Sequence, residues 1–301
     1  MTDIKFKKTE LEDQELISHY FKHHTSRSCE RTFVNCYLWS KYYHVEYAIV
    51  ADTLVFKNED KGLYFTFPAG CEANVKKAID LLIEYAEERG FSFGMYVVTP
   101  DQFERLEEWY PERFEISYDE DMADYVYESE KLSSLSGKKL HAKRNHINKF
   151  TGVYEGRWQY ETITEENTED CYKMLEKWSL DNECDKDSAK QAEVCVTRES
   201  LRQREQLHLR GGLIRLDGEV IAFSLGEPIS SDTFVVHIEK AFGDIQGAYA
   251  MINQQFVRHE CLDYQYVNRE EDTGSEGLRK AKRSYRPVFM IEKGTVTEIH
   301  S

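Results

Sequence analysis

The chain has 301 residues, of which 41% are hydrophobic and 31% are charged, and it includes nineteen tyrosines and sixteen phenylalanines. This length and this supply of bulky side chains predict a folded protein of two ordinary domains. The formal net charge of −16 argues against extended nucleic-acid binding, because a phosphate backbone is repelled wherever positive charge is not locally concentrated.

The seven cysteines include no C-x-x-C pair, a pattern that fits neither a disulfide framework nor a zinc site. No apolar run reaches the ~20 residues that cross a bilayer, and charges occupy the start of the chain where a signal peptide needs an apolar stretch. His19, His23 and His24 have metal-like spacing but no third ligand. We therefore expect a cytoplasmic protein with reduced thiols and no metal site.

Helix and strand signals alternate through the first third of the chain. Apolar runs broken by the turn at 51–52, Pro68 and Gly70 predict a meander of three strands. Apolar residues at helical spacing then stop at Gly90, which predicts a helix followed by a buried strand. In order, the predicted elements are two strands within 43–57, a strand at 62–70, a helix at 72–90, a strand at 93–98 and a short helix from Asp101.

A switch in charge marks the middle of the chain. Every charged side chain between Phe114 and Lys131 is acidic, whereas no acidic residue occurs from Lys131 to Tyr154. Such a switch predicts a domain boundary, which divides the chain into an N-terminal domain of residues 1–134 and a C-terminal domain of residues 135–301.

The second half repeats the alternation of helices and strands closely enough to predict two copies of one fold. Its Asp217-Gly218 pair, between two apolar runs, is a strong hairpin signal. In order, the predicted elements are a helix near 168–181, strands at 209–216, 219–227 and 232–240, a helix at 248–260, a strand at 263–268 and a helix at 275–283.

Antiparallel strands that meet a helix, followed by another strand and helix, have the element order of the GCN5-related acetyltransferase (GNAT) core. Two segments carry a more specific resemblance. GKKLHAKRNHINKFTGVY (137–154) resembles the start of the second domain of Fem-type peptidoglycan aminoacyltransferases, and VNREEDTGSEGLRKAKRSYRPVF (267–289) resembles the closing segment of the synthase domain of phosphatidylglycerol lysyltransferases. The pattern positions in the closing segment are Gly277, Leu278, Arg279, Lys282, Tyr285 and Pro287.

The resemblance implies an α+β chain of two tandem GNAT-like domains, each with a mixed, mainly antiparallel sheet flanked by helices. It also implies an acyltransferase of the aminoacyltransferase type. The donor would be an activated ester such as the acceptor end of an aminoacyl-tRNA. The acceptor would be an amine or hydroxyl of a small molecule, a peptide or a lipid headgroup.

No cofactor is required in this interpretation. Coenzyme A users carry an R/Q-x-x-G-x-G/A loop at a helix start, and GDIQGAYA (243–250) does not match it in any frame. Gln246 and Gly247 nevertheless leave backbone amides near a helix start, where an anion could bind. An acyl-CoA-dependent GNAT N-acyltransferase is therefore one alternative, and a non-catalytic anion-binding protein with the same fold is another.

The strand at 231–242 offers candidate catalytic residues. Period-two alternation places His237 and Glu239 on one face and Lys240 on the other. Acyl transfer needs a group that removes a proton from the nucleophile, so His237 or Glu239 could be the general base or could orient the incoming amine. Alternatively, Glu239 forms a structural ion pair with a basic neighbour.

The segment RKAKRSYR (279–286) concentrates positive charge. Helical spacing puts Arg279, Lys282, Arg283 and Arg286 on one broad face, which could bind the phosphate of a tRNA, of coenzyme A or of a lipid headgroup. The alternative is a solvated basic face.

Polar residues just past the predicted strand at 263–268 commonly line a site and could select an amino group. Cations within 138–149 could steer a nucleic-acid donor, or could equally tie two acidic domains together. The candidate substrate-binding residues are therefore Lys143, Arg144, Lys240, Asn268, Arg269, Glu270, Asp272, Arg279, Lys282 and Tyr285.

Overall fold

The computed structural model describes residues 3–23, 26–60 and 62–299. Helices and strands alternate along these ranges. The α-helices are α1 (Gln14–Phe21), α2 (Phe33–Ser40), α3 (Glu72–Glu87), α4 (Pro100–Trp109), α5 (Ser129–Ser134), α6 (His141–Val153), α7 (Glu165–Asp181), α8 (Ser188–Arg202), α9 (Ala248–Phe256) and α10 (Glu276–Ser284). The strands are β1 (Lys7–Lys8), β2 (Glu46–Val50), β3 (Thr53–Asn58), β4 (Tyr64–Phe65), β5 (Ala69–Gly70), β6 (Gly94–Val98), β7 (Phe114–Tyr118), β8 (Asp124–Glu128), β9 (Trp158–Thr162), β10 (Arg210–Leu216), β11 (Glu219–Pro228), β12 (Thr233–Ala241), β13 (Tyr266–Asn268), β14 (Phe289–Ile291) and β15 (Gly294–Glu298).

The chain folds into two compact units, and neither is a continuous stretch of sequence. Of the described residues, unit 1 takes those in 1–124, 271–275 and 291–301, and unit 2 takes those in 125–270 and 276–290. Each unit contains a sheet of its own.

The predicted boundary between residues 134 and 135 differs from this division. The reason is strand pairing. β8 precedes the predicted boundary but pairs with β13 in the sheet of unit 2. β15 follows the predicted boundary but pairs with β6 and β7 in the sheet of unit 1. A change of charge along the chain carries no information on such long-range pairings.

Unit 1 has the strand order β1-β2-β3-β4-β6-β15-β7, with β5 paired to β3. β4 and β6 run parallel and are connected through α3. The buried face of α3 carries Val75, Ile79, Leu82 and Ala86, each 0% exposed, at the spacing that the sequence predicts. Burial of this stripe against the sheet stabilises the unit by roughly 25 cal/mol per Å² of apolar surface.

Unit 2 has the strand order β14-β8-β13-β12-β11-β10-β9. β12 and β13 run parallel and are connected through α9, whereas β9 to β12 pair antiparallel. α9 continues into a single π-helical turn at Val257–Cys261. Two mixed, mainly antiparallel sheets flanked by helices confirm the predicted fold class, and both units have the predicted order of antiparallel strands, helix and parallel strand.

Some elements give little signal in the sequence. β8, β14 and β15 have three to five residues each, and α8 buries only a few of its positions, among them Val194 and Leu201. Short strands lack the periodicity on which prediction depends.

A β-bulge interrupts β12 at His237. Leu225 pairs with Ile238, but Gly226 pairs with Val236, so β12 has one residue more than β11 at this point. The strands approach so closely here that a Cβ atom on Gly226 would lie 2.2 Å from the carbonyl oxygen of Val235. Glycine is therefore required at position 226 by packing.

We expect Gly226→Ala to lower the free energy of unfolding by about 1–3 kcal/mol, because the backbone must move to admit the methyl group. Urea unfolding measures this loss. Gly243→Ala is the matched control, since a Cβ atom there has no neighbour within 4 Å. A loss of equal size in both variants would contradict the packing explanation.

Candidate functional site

The candidate site lies in unit 2, where β12 and β13 separate. Their last paired residues are Val235 and Asn268, and β12 then continues to Ala241 while the chain leaves β13. Side chains that follow β13 therefore project into the gap beside the second half of β12. Arg269 and Glu239 meet there.

Arg269 and Glu239 form a buried ion pair with side chains 10% and 14% exposed, and Arg269 Nη2 lies 2.8 Å from Glu239 Oε1. Asn253 Nδ2 donates to Glu239 Oε2 at 3.1 Å. The guanidinium carbon of Arg269 lies 4.9 Å from the ring centre of Tyr285 and 5.7 Å from that of Tyr127. Within the described residues, Arg269 Nη1 and Asn253 Oδ1 have no hydrogen-bond partner.

Burial opposes the charge on Arg269, but Glu239 together with Tyr127 and Tyr285 outweighs this effect and raises the pKa of the guanidinium group. The predicted alternative, an ion pair between Glu239 and a basic neighbour, therefore describes the observed geometry. The same geometry leaves a carboxylate beside a guanidinium N–H that is directed away from it. Such a pair can both accept a proton and donate to a developing oxyanion.

The loop after β13 holds Arg269 in place. Lys282 Nζ donates to the carbonyl oxygens of Arg269 at 2.7 Å and Glu270 at 3.2 Å. The side chain of Asn268 accepts from the backbone N–H of Glu270 at 2.7 Å. Glu270 has φ 57°, a left-handed conformation that costs a non-glycine residue energy. Lys282 is thus turned inward and supports the loop, although the sequence predicts that it contributes to an anion-binding face.

Tyr285 links this loop to α6. The Lys143 ammonium lies 4.1 Å from the ring centre of Tyr285. Burial, together with the positive charge of Arg269, lowers the pKa of Lys143, and burial raises the pKa of Tyr285. Arg144 instead donates to the carbonyl oxygens of Leu135 and Gly137, so it stabilises the turn before α6.

His237 lies between two carboxylates. Its Nδ1 is 2.7 Å from Glu270 Oε1 and its Nε2 is 3.1 Å from Glu227 Oε1. Burial lowers the pKa of His237, but the two carboxylates outweigh it and raise the pKa to about 10. A protonated imidazole has no lone pair to accept a proton, so this geometry favours His237 as the charged partner of Glu270 and Glu227, and its role as general base stays a prediction.

The pKa of His237 predicts a pH-dependent contribution to stability. The folded pKa of about 10 exceeds the usual value near 6.5, so the stabilisation is complete below about pH 6.5 and is lost as the pH rises towards 10. We expect the difference in unfolding free energy between the wild type and His237→Gln to shrink over that range in urea titrations. Glu227→Gln removes one carboxylate and should move the decline to lower pH; a difference that does not change with pH would contradict this assignment.

The remaining predicted residues lie apart from the Arg269–Glu239 pair. Lys240 is on the opposite face of β12, where it pairs with Glu193 and its ammonium lies 4.0 Å from the ring centre of Trp178. Burial lowers the pKa of Lys240. Asp272 belongs to unit 1, is buried, and accepts from the backbone N–H of Gly274 at 2.9 Å.

Gln246 and Gly247 precede α9. Gln246 is exposed. Gly247 has φ 92°, and a Cβ atom there would lie 2.8 Å from the carbonyl oxygen of His146 in α6. Close packing of α6 against the start of α9 therefore explains the glycine, while binding of a cofactor at this position stays a prediction.

A basic groove runs along the outer side of α10. Arg279 is half-buried, whereas Lys280, Arg283 and Arg286 are exposed. The groove is lined by Glu276, Arg279, Lys280, Arg283, Ser284 and Arg286. Three of the four predicted cations thus share an accessible surface, and the fourth, Lys282, supports the loop after β13.

Sequence reasoning missed three residues of the site. Asn253 is the first residue of a buried Asn-Gln-Gln sequence in α9. Three consecutive amide side chains within an otherwise apolar helix could have indicated a polar site. Tyr127 and Glu227 gave none, because their positions depend on the pairing of β8 with β13 and of β11 with β12.

A second polar cluster lies in unit 1. One ligand atom each of Cys29, Asp124 and Glu271 lies within 4.8 Å of the others, as at a metal site. The ammonium of Lys293, however, lies 2.7 Å from Asp124 Oδ1 and 3.4 Å from Cys29 Sγ. A buried cation of the chain itself thus neutralises the cluster.

The structure does not test metal binding by the histidines with metal-like spacing. The rings of His19 and His23 meet edge to face with centroids 5.3 Å apart. His24 lies outside the described residues.

The chain resembles known proteins over most of its length. The profile of a family described as phosphatidylglycerol lysyltransferase, C-terminal, matches residues 21–295. A conserved protein of unknown function from Bacteroides thetaiotaomicron has a crystal structure with 38% sequence identity and a TM-score of 0.92, and the alignment covers 98% of this chain and 100% of that one.

Two further likenesses are more distant. The structure of L-PGS from Bacillus licheniformis aligns with a TM-score of 0.65 and 14% identity over 95% of this chain and 91% of that one, so it shows a shared fold. An uncharacterized protein from Mycoplasmoides gallisepticum is 28% identical over 197 residues, which cover 64% of this chain and 62% of that protein. In the described ranges, every helix is too short or too polar to span a lipid bilayer.

Proposed function

Because the chain belongs to the phosphatidylglycerol lysyltransferase C-terminal family, a family of transferases, we propose that it is an aminoacyltransferase. It moves an aminoacyl group from an activated ester, such as an aminoacyl-tRNA, to an amine or hydroxyl acceptor. The supporting observation is the buried pair of Glu239 and Arg269, in which Arg269 Nη1 has no hydrogen-bond partner among the described residues.

In the proposed reaction, the acceptor nitrogen or oxygen attacks the ester carbonyl carbon. Glu239 takes the proton from the acceptor as the new bond forms, and Arg269 Nη1 donates to the carbonyl oxygen as it becomes an oxyanion. The oxyanion then collapses, the bond from carbon to the donor oxygen breaks, and the proton on Glu239 passes to that oxygen. Glu239 is a carboxylate again at the end.

Neighbouring residues support these roles. Tyr127 and Tyr285 stack beside the guanidinium group and keep it desolvated, which strengthens its interaction with an oxyanion. Lys143 adds positive charge above Tyr285. Lys282 holds the backbone of Arg269 through its carbonyl oxygen. His237 and Asn268 fix the conformation of Glu270, the next residue.

The basic groove on α10 is proposed to bind phosphates of the donor. We expect the triple variant Arg279→Glu, Arg283→Glu, Arg286→Glu to weaken aminoacyl-tRNA binding. The slope of log affinity against log salt should fall by about 0.7–0.9 for each phosphate that the variant no longer neutralises. Filter binding at several salt concentrations measures both quantities. The control is a second triple variant, Lys186→Glu, Lys190→Glu, Arg198→Glu, which makes the same change of charge on exposed residues in α8 and just before it. Equal weakening of aminoacyl-tRNA binding in this control would contradict a role specific to the groove.

Aminoacyl transfer itself is tested with purified protein, radiolabelled aminoacyl-tRNAs, and candidate lipids, peptides and polyamines. Movement of label to one acceptor class would support the proposal, and retention of label on every tRNA would count against it. No cofactor is required in this scheme. Calorimetry with acetyl-CoA tests the alternative donor, and a clear binding isotherm would favour an acyl-CoA-dependent N-acyltransferase instead.

A further inference from the structure

Four buried polar atoms of unit 2 lack a hydrogen-bond partner within the described residues. They are Tyr160 Oη, Ser224 Oγ, Asn253 Oδ1 and Arg269 Nη1, and the other three such atoms in the described chain belong to unit 1. Buried polar atoms without partners are rare in native proteins, and each one calls for an explanation. Here the four lie along one line, which runs from Tyr160 on β9 past Ser224 on β11 to Asn253 and Arg269 beside Glu239 on β12.

Strand register defines that line. Gly212 on β10 pairs with Ser224 on β11, and Ser224 pairs with Glu239 on β12, so the side chains of Ser224 and Glu239 project from the same face of the sheet. A Cβ atom on Gly212 would lie 2.0 Å from Tyr160 Oη, so the ring of Tyr160 extends from β9 across Gly212. The tyrosine hydroxyl therefore points along the sheet towards Ser224.

The line ends at the ion pair. Asn253 reaches down from α9 and donates to Glu239 through Nδ2, which leaves its oxygen next to the carboxylate. Arg269 holds the other oxygen of Glu239. Ser224 and Asn253 are 0% and 2% exposed, so bulk solvent does not satisfy their polar atoms.

We propose that ordered water fills this line between α9 and the sheet, and that Ser224 is a positioning residue that acts through water on Glu239. One water accepts from the Ser224 hydroxyl and donates to Asn253 Oδ1 and the Glu239 carboxylate, which gives it the three bonds typical of buried water. A second water joins Ser224 to the hydroxyl of Tyr160.

This arrangement has a chemical consequence, which rests on the proposed role of Glu239 as general base. Hydrogen bonds from a supporting shell hold a reacting side chain in its productive geometry. Water held by Ser224 thus joins Asn253 and Arg269 in fixing the orientation of the Glu239 carboxylate. Removal of the Ser224 hydroxyl should loosen that orientation and slow the proton transfer to Glu239.

A crystal structure of the full chain at about 1.2 Å resolution tests the water directly and needs no substrate. We expect a water bonded to Ser224 Oγ and Asn253 Oδ1 in the wild type, and its loss or displacement in Ser224→Ala. Direct protein contacts that satisfy Ser224 and Asn253 without water would overturn the proposal, whatever the activity of the protein.

The chemical step of transfer tests the positioning role. In Ser224→Ala we expect a roughly tenfold lower single-turnover rate and an unchanged affinity for aminoacyl-tRNA. Ser224→Thr keeps the hydroxyl and should restore the wild-type rate. Ser200→Ala is the control, because Ser200 is equally buried but donates to the carbonyl oxygen of Val196 at 2.8 Å on α8.

An unchanged single-turnover rate in Ser224→Ala, or an equal loss of rate in Ser200→Ala, would overturn the positioning role. Absence of any transfer by the wild type would instead count against the proposed function. The two failures are therefore distinguishable, since the crystallographic result is independent of turnover.

Discussion

Glu239→Gln is expected to lower the rate of aminoacyl transfer by about 10²- to 10⁴-fold, the usual contribution of a positioned acid or base. The amide has nearly the same shape, and its oxygen can still accept from Arg269 or Asn253, but it cannot take a proton from the acceptor. Single-turnover transfer from preloaded aminoacyl-tRNA measures the chemical step without interference from product release.

The matched control is Glu161→Gln. Glu161 is also paired with an arginine, since Arg215 Nε lies 2.8 Å from its Oε1, but it lies on β9 at the edge of the sheet. We expect little change in rate for this variant. Wild-type turnover by Glu239→Gln would remove Glu239 as the base, and a loss of tRNA affinity with an unchanged single-turnover rate would assign it to binding.

Arg269→Ala is expected to lower the free energy of unfolding by about 3–5 kcal/mol. The substitution leaves the carboxylate of Glu239 buried without its cation, and an uncompensated buried charge is far more costly than a broken surface pair. Removal of the guanidinium group also exposes the faces of Tyr127 and Tyr285 that it covers. Urea unfolding at about pH 7 measures the loss.

Arg157→Ala provides the comparison. Arg157 pairs with Asp217, but both side chains are about half exposed, so the expected loss is only about 0–1 kcal/mol. The double variant Arg269→Ala, Glu239→Gln should recover part of the stability, because no buried charge then remains unpaired. Equal losses in Arg269→Ala and Arg157→Ala would contradict the view that the Arg269–Glu239 pair is buried and coupled.

Much of the fold could be predicted from the sequence, because long elements carry their own periodicity. The apolar stripe of α3 and the Asp217-Gly218 hairpin are local features, and both lie where the sequence predicts them. The closing segment at 267–289 indicates the family, whose profile covers residues 21–295. The short strands β8, β14 and β15 could not be predicted, because pairing with distant strands defines them.

The candidate site could be predicted only in part, for the same reason. Both Glu239 and Arg269 are candidates from the sequence, but nothing in the sequence shows that they meet, since β13 brings them together. The environment of His237 could not be predicted, because a one-residue bulge and two distant carboxylates decide it. Helical spacing places Lys282 with Arg279 and Arg283, yet spacing alone does not show which side of a helix faces the protein.

The position of β15 has a consequence for how the chain is made. β15 (Gly294–Glu298) lies between β6 and β7 in unit 1, although these strands are synthesised some two hundred residues earlier. Until the ribosome has passed residue 298, β6 and β7 each lack a neighbour, and open strand edges favour aggregation. Nascent or truncated chains that end before residue 294 should therefore depend on chaperones, and expression trials should keep this strand and leave its surroundings unmodified.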